Sequence, residues 1–96
     1  MKVVWRPMAD ADREQIFDYI AQDNPRAALE LDEEFKAKAA LAAREPGMYR
    51  KSERIPGTRE IVVRRNYIMI YRVIETTDTL AVLRVMHSAR QWPPEK

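Results

Sequence analysis

The chain has no cysteine. That excludes a disulfide scaffold, a thiolate metal site and a cysteine nucleophile. Its single histidine, His87, excludes a histidine-built metal site or a pair of histidines trading a proton within one chain. No apolar stretch approaches the ~18 residues that a membrane span requires. The first residues lack the basic-then-apolar pattern of a signal peptide. The expected setting is therefore the cytoplasm, with no membrane partner. Glycine occurs only twice, each time after a proline, at Pro46-Gly47 and Pro56-Gly57. Repeats, linkers and low-complexity segments are also missing.

What is present fits one small domain spanning residues 1–96, with 46% apolar and 33% charged residues. The net charge is only +2, but it is divided unevenly. Residues 1–48 carry 7 Lys/Arg against 10 Asp/Glu, and residues 49–96 carry 10 against 5. Eight of the latter cations are arginines: Arg50, Arg54, Arg59, Arg64, Arg65, Arg72, Arg84 and Arg90. Arginine offers a planar fork that matches a carboxylate or phosphate. A basic second half thus points to an acidic partner, either nucleic acid or an acidic protein segment.

Local patterns divide the chain into six elements. Lys2-Val3-Val4-Trp5 reads as a short strand closed by Pro7, because proline holds the preceding Arg6 extended. A helix follows from Met8 to Gln22, with Ala9, Ile16 and Ile20 on one face and Phe17 beside it. Asp12 falls near that face but early in the helix, where it is expected to reach water. Asn24-Pro25 is an N-cap followed by a first-position proline. It starts a second helix to Arg44, with a stripe of Ala28, Leu31, Phe35, Ala39 and Ala42. Two helices joined so tightly fold back as a hairpin.

Residues 45–58 read as a loop. The period then changes to two. Glu60–Arg65, Tyr67–Ile74 and Leu80–Met86 read as strands of an antiparallel meander, with turns at Arg65-Asn66 and Glu75–Asp78. The resulting class is α+β, in the order β-α-α-β-β-β, with the helical hairpin covering one face of a small sheet. Arg72 and Arg84 interrupt apolar strands. Unpaired arginine is rarely buried, so both are expected to point away from the helices. Odd-length connections would place them on one face, giving the sheet an open basic side.

Few groups suit catalysis. The acids gather on the helices, which disfavours a paired-carboxylate hydrolase. Ser88 follows His87 in sequence, but no third triad member is evident. A metal-free ribonuclease needs only an acid–base group and cations for the phosphate. His87 with Arg64, Arg65 and Arg84 meets that requirement on paper. Trp92 is either a base-stacking platform or an anchor for the C-terminal tail. Tyr67 and Tyr71, at strand spacing, read as packing residues.

Several stretches carry a resemblance. They are Asp18-Tyr19-Ile20-Ala21, Asn24-Pro25-Arg26-Ala27-Ala28, Pro56-Gly57-Thr58-Arg59-Glu60, Tyr67-Ile68-Met69-Ile70-Tyr71-Arg72-Val73 and Val85-Met86-His87-Ser88-Ala89-Arg90-Gln91-Trp92-Pro93. In this order they resemble the RelE/ParE superfamily of toxins from type II toxin–antitoxin systems, and they cover nearly the whole chain. The superfamily fold is a helical hairpin on an antiparallel sheet.

The resemblance implies two possible activities. RelE-type members cut mRNA on the ribosome, using lysines on the strand after the long loop and an arginine just after the tyrosine of the next strand. Here those positions hold Glu60, Val62 and Ile68. A nuclease subgroup has a histidine followed by tyrosine, where this chain has His87 and Ser88. ParE-type members poison DNA gyrase, and the stretches around Pro56 and His87 look more like these.

The resemblance therefore implies a ParE-like, plasmid-stabilising toxin without cofactor or metal. Its partners would be a cognate antitoxin and the DNA gyrase A subunit. Arg59, Arg72, Arg84, His87, Arg90 and Trp92 would bind target or antitoxin. The alternative is a ribosome-dependent mRNA endonuclease using His87, Arg64, Arg65 and Arg84, with ribosome and mRNA as partners.

Overall fold

The computed structural model describes residues 1–88. The elements are β1 (Lys2–Trp5), α1 (Pro7–Ala21), α2 (Pro25–Arg44), β2 (Arg59–Val63), β3 (Tyr67–Ile74) and β4 (Thr79–His87). This is the expected α+β order, with boundaries moved by one or two residues. Arg6 is extended and Pro7 opens α1, as proline chemistry requires. The Asn24 side chain accepts a hydrogen bond from the Ala27 amide and caps α2.

The strands form one sheet in the order β1-β4-β3-β2. The meander β2-β3-β4 is antiparallel, and β1 lies parallel to the first half of β4, from Lys2↔Thr79 to Trp5↔Val82. The hairpin packs on one face. Its core gathers Leu31, Phe35 and Ala39 of α2 with Ile61, Met69, Tyr71, Val82 and Val85 of the sheet. The Phe35 and Tyr67 rings meet edge to face at 5.6 Å. Tyr71 is buried, and its hydroxyl donates to the Pro46 carbonyl. Burial pushes the Tyr71 phenol above its ordinary pKa.

The β2–β3 connection differs from the expected one, whereas the β3–β4 connection falls at the expected residues. Strand β2 ends at Val63, and the β2–β3 turn takes Arg64, Arg65 and Asn66. Arg64 and Arg65 both adopt left-handed backbone conformations (φ 52° and 63°), so neither continues the strand. The β3–β4 connection has an even number of residues, 75–78, between the paired Ile74 and Thr79. Continued unbroken, that register would set Arg84 opposite Met69, on the helix-facing side. A bulge at Leu83 shifts the register by one and sets Arg84 opposite Ile70 instead.

The second face of the sheet is not an open basic surface. Ile68, Ile70 and Met86 are buried there and pack with Ile55 of the 45–58 loop. That loop also runs along the outer edge of β2. It makes a bridge between Lys51 and Arg59 and a hydrogen bond from the Glu60 amide to the Arg50 carbonyl.

Candidate functional site

Strand β1 pairs with β4 only as far as Val82, so α1 lies beside the second half of β4. Asp12 of α1 meets that stretch. Its carboxylate accepts from Arg84 Nε (2.7 Å), Arg84 Nη2 (3.0 Å) and the Val85 amide (2.9 Å). From the sequence alone, Asp12 is expected in water and Arg84 away from the helices. Both expectations are corrected: the two side chains are largely buried and bonded across the helix–sheet boundary. The bidentate bond to Asp12 raises the Arg84 pKa against the opposing effect of burial. Seventy-two positions separate the partners, beyond the reach of any local pattern.

Beyond this pair lies a cavity of about 320 Å³. Gln15, Ile16 and Tyr19 of α1 line one side, and Tyr67, Val85 and His87 line the other. His87 stands opposite Tyr67 in the sheet, with the rings edge to face at 5.3 Å. Ser88 ties the end of β4 to the β2–β3 turn. Its amide donates to the Asn66 carbonyl and its hydroxyl to the Arg65 carbonyl. The turn arginines and the histidine are thus neighbours.

The four residues of the nuclease reading are only partly assembled. His87 and the Arg64–Arg65 turn come together. However, Arg64 Nε donates to Glu34 of α2 at 2.6 Å in an exposed pair, and Arg84 donates from both Nε and Nη2 to Asp12. The binding set is dispersed. Arg59 lies at the start of β2 and donates to the Tyr49 carbonyl, and Arg72 is exposed on β3 opposite Ala81. Arg90 and Trp92 lie outside the described residues. Among the described residues, no three His, Asp or Glu side chains are placed to hold a metal ion.

From the sequence, Glu60 stands out only as an acid at a position where RelE-type toxins carry a lysine. In the structure it is a buried carboxylate gripped by Arg50, Arg54 and Ser52. Burial pushes its pKa up, but hydrogen bonds from Ser52, Arg50 and Arg54 outweigh burial and hold it below the ordinary value. The available signal was an acidic residue in an apolar strand, after a loop holding two arginines.

The hairpin on a four-stranded sheet is shared with solved toxin structures. The chain is similar to the chromosomal ParDE toxin–antitoxin system from P. aeruginosa, with TM-score 0.75 and 25% identity over 91% of this chain and 95% of that one. It is also similar to the isolated RelE toxin from E. coli, with TM-score 0.67 and 16% identity over 95% and 87%. A third likeness is the RelBE2 toxin–antitoxin complex from Mycobacterium tuberculosis, with TM-score 0.63 and 24% identity over 93% and 92%. No curated protein matches. The fold is therefore that of the RelE/ParE toxins. Within that class, residues 3–92 match the model of the ParE toxin of type II toxin–antitoxin systems, parDE, and the chain belongs to this family.

Proposed function

We propose that this toxin acts as a gyrase poison: it binds DNA gyrase through the A subunit, stabilises the cleaved-DNA state and is neutralised in the cytoplasm by a cognate antitoxin. The match to the ParE family over residues 3–92 is the observation that carries this reading. On it the chain is a binding protein, and Arg59, Arg72, Arg84, Arg90, His87 and Trp92 serve recognition. The arginine-rich second half suits an acidic segment of the antitoxin or the acidic surface of a target–DNA complex.

The competing nuclease reading draws its support from the nearness of His87 to the Arg64–Arg65 turn. Against it stands Glu34, which accepts from Arg64 Nε; the bond of Asp12 to Arg84 weighs on both readings alike.

The test is a supercoiling and cleavage assay with purified gyrase, with and without ATP. Inhibition with accumulation of cleaved DNA is expected. No effect from micromolar folded protein, together with mRNA cleavage on translating ribosomes, would sink the proposal. His87→Ala separates the readings further. Loss of an acid–base group costs a nuclease roughly a hundredfold or more in rate, whereas a gyrase-binding toxin, in which His87 is one contact among several and toxicity tracks the surface arginines and the tail, keeps most of its toxicity.

A further inference from the structure

The second face of the sheet carries a guanidinium cradle that is already filled. Glu60 stands opposite Ile70 in the β2–β3 ladder and is 4% exposed. Arg50 donates from Nε and Nη2 to one carboxylate oxygen, at 3.0 and 2.6 Å. Arg54 Nη1 spans both oxygens, at 3.1 and 2.9 Å, and the Ser52 hydroxyl donates at 2.9 Å. All three donors come from a five-residue stretch of the loop. Arg72 lies two positions along β3 from Ile70, hence on the same face, and is exposed.

Two guanidinium forks and a hydroxyl converging on one oxyanion are the donor set that a phosphodiester takes. Here the oxyanion belongs to the chain itself. An external phosphate must therefore displace an intramolecular competitor whose effective concentration is millimolar or more. It must also leave the buried Glu60 carboxylate without partners, which is costly.

We propose that Glu60 is a specificity-determining residue: a built-in anion that occupies the Arg50–Arg54 cradle and denies this face to nucleic-acid phosphates. Neutralising it leaves Arg50, Arg54 and Arg72 as a cluster of three cations beside an apolar patch. This face would reject phosphates whichever target the toxin has.

The experiment measures binding of a fluorescein-labelled single-stranded RNA to the full chain by anisotropy. The native protein and Glu60→Gln are compared at several salt concentrations. Glu60→Gln is expected to bind roughly tenfold more tightly at low salt, with a salt slope steeper by about one phosphate contact. Adding Arg50→Gln to that variant should remove the gain. Folded Glu60→Gln with native-like RNA affinity would overturn the proposal. So would a severalfold loss of affinity on introducing Arg50→Gln into the native chain, since Arg50 would then already engage phosphate. Should Glu60→Gln be unfolded in buffer, millimolar inorganic phosphate is expected to restore its circular dichroism. Failure to do so, against chloride at matched ionic strength, would also overturn it.

Discussion

The two faces of the sheet are held by different forces. On the helix-facing side, Phe35, Leu31, Met69, Tyr71 and Val85 exclude water over a continuous apolar core. On the other side, among the described residues, Ile68, Ile70 and Met86 form a small cluster with Ile55, and the neighbouring loop is tied down by charge through Glu60. Burial of apolar area is non-directional and tolerant of small shifts. A buried carboxylate is neither, because it needs every donor in place. The first face thus fixes the fold and, through Tyr71 and Tyr49, the start of the long loop, and the second fixes the loop's 50–54 stretch.

The comparison can be broken most severely at Phe35. Phe35→Ala should cost about 3–5 kcal/mol through lost burial and a residual cavity, read by urea denaturation. A near-neutral result would mean that α2 does not anchor the core.

The second face should be next. Glu60→Ala leaves Arg50 and Arg54 without their buried partner and should cost about 2–3 kcal/mol. It should also increase proteolysis within residues 45–58, whereas Phe35→Ala should loosen the whole chain. The two faces also differ in their response to acid. Because folding lowers the Glu60 pKa, its contribution is fully present above the ordinary value of 4.5. It is lost as the pH falls from there through the lowered folded value. Glu60→Gln should therefore flatten the acid limb of a stability–pH profile, and Phe35→Ala should only shift that profile down.

Between the faces sits the Asp12–Arg84 pair. Asp12→Asn should cost about 1–2 kcal/mol by weakening charge-assisted bonds to Arg84 and the Val85 amide. Reduced gyrase inhibition by this variant, at a temperature where circular dichroism shows it folded, would report that Asp12 positions Arg84 for recognition. The smallest change is expected at Arg72. Exposed on β3, Arg72→Ser should alter stability by no more than about 0.5 kcal/mol. Any loss of toxicity in that variant would then report on binding alone.

The hairpin, the strands and the helix-facing core were legible because their signals are local. Asn24-Pro25 sets the start of α2, the Leu31–Phe35–Ala39 stripe names its buried face, and the switch to period two marks the meander. The turn was misplaced by one residue, because nothing in Arg64 or Arg65 announces a left-handed backbone. The pairing of β1 with β4 and the bulge at Leu83 were not legible either. Both depend on which strands meet.

Charge shows the division most clearly. Composition alone places the arginines in the second half and most acids on the helices. Which arginines the acids neutralise, on helix or strand, is settled by folding. Asp12 reaches Arg84 across seventy-two positions, and Glu60 collects Arg50, Arg54 and Ser52 from a loop without regular structure. The physical reason is range. Periodicity and caps report on neighbours a few residues apart, whereas an ion pair forms wherever folding brings opposite charges together out of water.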